Sequence, residues 1–196
     1  KKINVPLFLK NINIDLNSKD SIEEVARNKR YEAIHSIMKK NTYLLTAHHA
    51  DDQVETFFYN LFRGSGVKGL SSMPEIRFTP KGLHLRPFLG FNKNTLEDFV
   101  ARFNLEFIND KSNENTDFAR NYIRSEVLPI VKKKWPNYSK TIQRAIANIA
   151  NAQKLNLELA LADFQKFKID GKNNRINIKA RSLEENRFYN VIRFWI

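Results

Sequence analysis

Cysteine is absent from this chain. That excludes disulfides, a thiolate metal site and a cysteine nucleophile within these residues, and it is consistent with a reducing, cytoplasmic setting. No apolar run approaches the roughly 20 residues of a membrane-spanning helix, and no signal-peptide pattern is present, so no membrane association is expected. No internal repeat or low-complexity tract stands out. Acidic residues are also short: 21 Asp and Glu stand against 33 Lys and Arg, a net charge of +12. Such an excess favours a polyanionic partner, because each phosphate neutralised by Lys or Arg releases condensed counterions. A Lys- and Asn-rich bias of the whole proteome is the bland alternative.

What is present suffices for one compact domain and a second, smaller element: 196 residues, 42% of them hydrophobic, with 15 Phe to fill a core. The chain starts at Lys1 without an initiator methionine and stops at Ile196 inside an amphipathic pattern, so it reads as a piece of a longer protein. Val5 to Leu9 with Ile12 and Ile14 reads as an extended segment. Ser21 and Glu24 form a capping box for a helix running to about Lys40, with Ile22, Val25, Ala26, Tyr31, Ile34 and Ile37 at helical spacing. Thr42 to Thr46 reads as a short buried strand and Asp51 to Arg63 as the next helix, an order that predicts parallel strands covered by helices.

Further on, residues 64–70 form a loop whose three glycines permit backbone geometry closed to other residues. Leu83 to Pro87 alternates as an edge strand would, and Asn94 or Thr95 caps a helix bearing Leu96, Phe99, Val100 and Phe103. Residues 104–119 are polar and loop-like. Helical patterning resumes near Asn121, is punctuated by Pro129 and Pro136, and continues through Ile142, Ile146 and Ile149. Asn174 to Ala180 alternates like a strand, and Leu183 to Trp195 reads as a last helix.

The chemistry concentrates in Thr46-Ala47-His48-His49-Ala50-Asp51-Asp52-Gln53-Val54-Glu55-Thr56. Polar residues sit there where a strand hands over to a helix, the place where open α/β sheets bind ligands. Asp52, Glu55 and Tyr59 share a helical face, with His48 one turn earlier; Val54, Phe57, Phe58 and Leu61 lie largely opposite, on the side expected to pack on the sheet. The two carboxylates are therefore expected to emerge together into an open crevice. Such a pair can hold a magnesium ion, bind an ammonium or accept a proton, and a histidine adds a group titrating near neutrality. Helix capping is the competing reading for Asp51 and Asp52, with Asp51 the candidate cap, and His49 is read as structural.

Arg120 and Arg124 stand four apart, so both can face one anion, and Asn121 can offer its amide to a base or ribose. The alternative is a solvated face or a salt bridge to Asp117. Arg63 beside the glycine loop is a similar candidate. Lys132, Lys133 and Lys134 beside Trp135 suit an RNA backbone and a stacked base, or form an ordinary solvated charge run. Phe57, Phe58, Phe62 and Phe103 read as core.

The run His48 to Thr56, followed by Arg63-Gly64-Ser65-Gly66-Val67-Lys68-Gly69-Leu70, resembles the second motif of the tRNA(Ile)-lysidine synthase family of PP-loop ATP pyrophosphatases. Asn109 to Asn113, Arg120 to Arg124 and Val127-Leu128-Pro129 are similar to that family's next block, so agreement covers about residues 30–136. The resemblance implies an α/β fold: part of a Rossmann-like, parallel-sheet PP-loop ATPase domain over residues 1–120. A mainly helical linker and the start of a C-terminal RNA-binding domain would follow over 121–196. The implied reaction adenylates oxygen 2 of a wobble cytidine with ATP, after which the side-chain amine of lysine displaces AMP. Implied partners are tRNA(Ile) with a CAU anticodon, free L-lysine and a second copy in a homodimer. ATP and Mg2+ are the implied cofactors.

By that resemblance His48, Asp52 and Glu55 are catalytic: the carboxylates bind and deprotonate lysine, and His48 positions the nucleotide or a phosphate oxygen. Asp52 is also the magnesium ligand. Asp51, Arg63, Gly64 and Gly66 contact the nucleotide, and Arg120, Asn121, Arg124, Lys132 and Lys133 contact tRNA. One departure is clear. The family's Ser-Gly-Gly-x-Asp-Ser loop, whose amides cradle pyrophosphate, does not occur in this sequence. That loop is expected upstream of Lys1, and these residues alone are expected to bind ATP poorly and turn nothing over.

Two other classes compete. A metal-dependent phosphoesterase would ligate divalent ions through His48, His49, Asp51 and Asp52, yet the only other histidines, His35 and His84, lie in no acidic cluster. A non-catalytic RNA-binding module explains the charge and leaves Asp52 and Glu55 idle. Within the PP-loop group, tRNA-thiolating enzymes commonly rely on cysteines, which are missing here.

Overall fold

The computed structural model describes residues 5–13, 22–108, 110, 115–169 and 172–196. The chain forms two compact units, one of residues 1–47 with 75–87 and one of residues 48–74 with 88–196.

The first unit holds helix α1 (Ile22–Ile37) and strands β1 (Thr42–Leu45), β2 (Ile76–Thr79) and β3 (Gly82–Leu85). The α/β class holds, but the sheet is mixed: in the order β1-β3-β2, β1 runs parallel and β2 antiparallel to β3. β3 is thus the central strand, not the edge strand its pattern suggested. Pro87 does not conflict with this, because it lies beyond Leu85, the last paired residue. At the other end, Gly82 has φ +151, and a Cβ there would fall 1.9 Å from the Thr42 carbonyl oxygen, so close strand approach requires glycine.

Register puts Tyr43, Leu83 and Phe78 in one row and Leu45, Leu85 and Ile76 in the next, all on one face of the sheet. Tyr43, Leu45, Ile76 and Phe78 are exposed, so β1 is half-buried and not the buried strand expected from its apolar run. On the other face α1 sets Tyr31 against the buried His84, with ring centroids 5.6 Å apart. Arg86 Nη2 lies 3.4 Å from His84 Nδ1, and Thr46 Oγ1 lies 2.9 Å from Nε2. Because arginine only donates, Nδ1 must accept, which places the ring proton on Nε2 facing Thr46. Burial lowers the Arg86 pKa despite the neighbouring Tyr31 phenol. Residues 5–13 pair in no strand, and the exposed Val5, Leu7, Phe8 and Leu9 bury no face. Ile14 of the expected extended segment and the expected cap Ser21 lie outside the described residues. The helix itself stops at Ile37, short of Lys40, and Asn41 then turns with φ 59.

The second unit is built on helix α2 (Ala50–Phe62), followed by the short α3 (Val67–Leu70) and α4 (Lys93–Arg102). α4 starts at Lys93 with Asn92 as its N-cap, before the Asn94 or Thr95 expected from composition. A continuous helical run then comprises α5 (Ala119–Tyr122), a π-helical segment (Ile123–Val127) and α6 (Leu128–Lys134). Pro129 stands at the start of α6, directly after the π-helical segment, where its fixed φ suits a helical position. α7 (Tyr138–Phe167) is 30 residues long. A hairpin of β4 (Lys168–Ile169) and β5 (Lys172–Ile176), a 3-10 turn (Ile178–Ser182) and α8 (Glu185–Trp195) complete the unit. The expected strand at Asn174 to Ala180 is therefore displaced toward the N-terminus, and its second half is helical.

Val54, Ile123 and Leu128 form the buried core, with Phe58, Tyr59, Tyr138 and Ile142 packed on it. The expected division at residue 120 runs through this core, since α2 packs on the helical run. Phe62 and Phe103, expected in the core, are exposed. α7 and α8 are joined through the fully buried Asp163, whose carboxylate accepts Arg187 Nε at 2.9 Å and Nη2 at 2.5 Å. The Arg187 hydrogen bonds hold the Asp163 pKa below its ordinary value, against the effect of burial. A depressed carboxylate contributes stability that is full above its unfolded pKa, about 3.9, and that is lost as pH falls through the lower folded value. Asp163→Asn is accordingly expected to lower the melting temperature at pH 7 by about 2–4 °C. The gap to the unsubstituted protein should close as the pH is taken below about 4; thermal melts across pH 2–7 check this.

Candidate active site

After Leu45 the chain passes through residues 46–49 into α2, and the first turn of α2 is dense in polar side chains. His49 is the N-cap residue, with extended backbone. Its N–H donates to Asp52 Oδ2 at 2.9 Å, so Asp52 closes the helix start from the third helical position. Asp51 acts on another helix. Its Oδ2 accepts the backbone N–H of Lys93 at 2.7 Å and thereby caps α4. Sequence reasoning makes Asp51 the cap of its own helix; the structure gives that role to Asp52. The His49 ring lies between the two, 3.7 Å from Asp51 and 3.5 Å from Asp52. His48 is half-buried beside it.

Glu55 does not open into a crevice. Its residue is 1% exposed, because it lies one position from Val54 on the part of α2 that faces the helical run. What makes that burial tolerable is a bidentate ion pair. Arg124 donates from Nε to Oε1 at 2.6 Å and from Nη2 to Oε2 at 2.8 Å. A buried carboxylate needs such pairing, since an uncompensated charge costs several kcal/mol. Arg120 Nη2 stands 3.8 Å from Glu55 and donates to Thr56 Oγ1 at 3.1 Å. Arg124 Nη2 is also 3.8 Å from Asp52 Oδ1. Asp52 and Glu55 therefore do share a side, and what they share is Arg124. The hydrogen bond to Glu55 raises the Arg124 pKa beyond what its burial takes away. Tyr138, at the start of α7, is raised too, first by burial and then by Asp51 and Glu55.

Arg120 and Arg124 do converge on one anion, as their spacing implied, but that anion is Glu55 and not Asp117. Asn121 Nδ2 donates to the Asn115 carbonyl at 2.8 Å. Arg63 Nη1 donates to the Tyr59 hydroxyl at 2.8 Å, with its guanidinium 5.1 Å from that ring's centre. Gly64 takes φ +68, Gly66 precedes α3, and both have open space where a Cβ would stand. Lys132 and Lys133 are exposed in the last turn of α6, with Trp135 exposed next to them.

Three contributors escape sequence reasoning. Thr56 and Gln53 lie inside the motif, yet their residue types alone indicate no role. Gln53 exchanges two hydrogen bonds with the Met73 backbone, at 2.7 and 2.8 Å, and so ties the loop after α3 to α2. Lys93 contributes through its backbone, which composition cannot signal.

Among the described residues, no group of three or more His, Asp or Glu side chains is arranged to hold a metal ion. Asp52, the expected magnesium ligand, already accepts an N–H at one oxygen and faces a guanidinium with the other. These residues do not fit a resident metal, which also removes the four-ligand phosphoesterase site. Nor is any described helix long and apolar enough to cross a membrane.

Residues 1–131 match the family model of the PP-loop domain. Over 193 residues, 98% of this chain, it is 36% identical to a tRNA(Ile)-lysidine synthase of Vibrio vulnificus (strain CMCP6), covering 44% of that protein. It is 38% identical over 180 residues to the tRNA(Ile)-lysidine synthase of Actinobacillus pleuropneumoniae serotype 3 (strain JL03), covering 92% of this chain and 42% of the relative. With the Coxiella burnetii protein of the same name it shares 37% identity over 195 residues, 43% of that relative. The chain thus spans less than half the length of the curated relatives it matches.

Glu55→Gln keeps the shape of the ion pair and removes its charge. It is expected to cost roughly 1–3 kcal/mol of stability, read as a lower urea midpoint, whereas an unchanged midpoint would show that the pair holds nothing together.

Proposed function

This chain belongs to the PP-loop domain family, and we propose that it is the lysine- and tRNA-handling part of a tRNA(Ile)-lysidine synthase. The observation that carries this reading is the joint placement of Asp52, Glu55, Arg120 and Arg124. One cluster there offers carboxylates to a cationic amine and guanidiniums to a phosphate. The reaction has substrates of both kinds. The curated relatives named for this activity support the reading over 92–100% of the chain.

In the first step oxygen 2 of the wobble cytidine attacks the α-phosphorus of ATP and pyrophosphate leaves. In the second, the lysine side-chain nitrogen, after losing a proton, attacks carbon 2, and AMP departs with the electrons of the carbon–oxygen bond. Lysine arrives as an ammonium, which Asp52 at the more exposed edge of the cluster receives and relieves of its proton. Glu55 sets the position of the arginines behind it and adds negative potential for the same cation. His48 orients the nucleotide, and Asp51, Arg63, Gly64 and Gly66 form its surroundings. Arg120, Asn121, Arg124, Lys132 and Lys133 face tRNA(Ile) with its CAU anticodon, in keeping with the net charge of +12.

The pyrophosphate cradle is not assigned to any residue of this sequence, and magnesium enters this reading as a companion of ATP phosphates, not as an ion caged by the chain. The helical residues 121–196 form the approach to an RNA-binding region. A cytoplasmic setting and homodimeric assembly of the complete enzyme belong to the same proposal; sedimentation of the full-length protein reads the latter.

Asp52→Asn separates chemistry from capping, because asparagine retains an oxygen for the His49 N–H. In the full-length enzyme it is expected to cut lysine incorporation into tRNA(Ile) by about 10²-fold or more while the protein stays folded, the lost charge at the helix N-terminus costing only about 0.3–1 kcal/mol of stability. Turnover at the unsubstituted rate would remove Asp52 from the mechanism.

A further inference from the structure

In the Asp52–Glu55–Arg120–Arg124 cluster both Glu55 oxygens are taken by Arg124, which also stands 3.8 Å from Asp52 Oδ1 and feels the neighbouring Asp51 carboxylate. An arriving ammonium thus meets carboxylate oxygens already committed to a guanidinium in a partly desolvated place, and must compete with that bidentate pair. Lysine binding to these carboxylates therefore needs one resident cation to move or to be neutralised from outside. The two arginines are not equivalent in this respect. The Arg120 side chain is 20% exposed, held by Thr56 Oγ1, and 3.5 Å from the Asp52 carbonyl oxygen. The Arg124 side chain is 41% exposed, while the Glu55 side chain it grips is 2% exposed. Arg124 commits Nε and Nη2 to Glu55, so its remaining amine is the edge that first meets an external anion. It also rises from the π-helical segment, a wide turn of the kind found at functional positions.

We infer that Arg124 is an exchangeable internal counter-ion: a phosphate of the tRNA draws its guanidinium off Glu55, and the released carboxylate pair takes the lysine ammonium. Arg120 stays in place and keeps Glu55 from being left wholly unpaired. The consequence is positive coupling between a polyanion and a cation that share no contact. By linkage, tRNA tightens lysine binding and lysine tightens tRNA binding by the same factor. The device also orders the reaction, because the nucleophile is admitted only where its acceptor is already bound. The inference rests on the lysine and tRNA reading above, and its test separates the two.

Full-length protein is titrated calorimetrically with L-lysine, alone and with a saturating unmodified tRNA(Ile) transcript, in the absence of ATP so that nothing turns over. The lysine Kd is expected to fall about tenfold when tRNA is present, within the usual range of site-to-site coupling. In Arg124→Gln, lysine is expected to bind without tRNA as tightly as it binds the unsubstituted protein with tRNA, and the tRNA effect should vanish. Equal lysine affinity with and without tRNA in the unsubstituted protein overturns the coupling while leaving the substrate reading intact. Loss of lysine binding in a folded Arg124→Gln overturns it as well, since Arg124 would then hold lysine and not exclude it. If the variant fails to fold, the titration of the unsubstituted protein decides alone. Absence of lysine binding under every condition, with a normal melting curve, removes the substrate reading and the coupling together.

Discussion

The forked hydrogen bond between Arg124 and Glu55 is the constraint around which the second unit is arranged. Val54 is buried because α2 packs on Ile123 and Leu128, and the same approach of the helical run, with Arg124, covers Glu55. Apolar packing fixes the separation of two helices, and that separation brings a carboxylate on one within 2.6 Å of a guanidinium on the other. Without the ion pair, the same packing would strand a charge in the interior; without the packing, the pair would be a surface contact worth little.

Two consecutive aspartates at the start of α2 illustrate how little a residue type says about its role. Asp52 reaches back to the N–H of its own cap residue, and Asp51 reaches to the first turn of α4, 42 positions along the chain. Both roles use the same physics, a carboxylate satisfying an amide that the helix leaves without a partner. Their effect on the site differs. Asp51 is committed to joining two helices, whereas Asp52 keeps one oxygen directed to Arg124 and so remains part of the charged cluster. Catalytic chemistry here would draw on a side chain that is already structural.

Much of this was legible in the residues. The 3.6-residue periodicity located α1, α2, α7 and α8, and the two-residue alternation located β3. The family resemblance rests on a motif that forms the first turns of α2 and agrees with the PP-loop match. What stayed hidden depended on distant parts of the chain. Helical spacing shows that Asp52 and Glu55 share a side, but not that Glu55 lies deep, because its depth is set by an arginine 69 residues away. The sheet misleads for a related reason. β2 has only four residues, and its Ile76 and Phe78 face outward among the described residues, so the usual link between an apolar side chain and a buried face fails there. Pro87 suggests an edge strand although it stands just past the pairing.

The i, i+4 spacing of Arg120 and Arg124 is a good guide to geometry and a poor one to the partner. Both side chains do meet one anion. That the anion is internal changes what the arginines can do for an external one. An arginine held by a carboxylate has surrendered most of its rotamer freedom, so a phosphate arriving at its open edge finds a guanidinium already aimed. The same carboxylate competes for that guanidinium. Which influence prevails is decided by exposure and by the number of anchors. Arg120 has Thr56 and the Asp52 carbonyl as additional acceptors and is the less exposed of the two. Among the described residues Arg124 is gripped by Glu55 and faces Asp52, two of the three carboxylates of α2, and about two-fifths of its side chain faces solvent. Arg124 therefore makes the closer pair and is also the one open to what binds, while Arg120 is placed to keep a cation near Glu55 throughout, a difference that the sequence spacing alone treats as a symmetric pair.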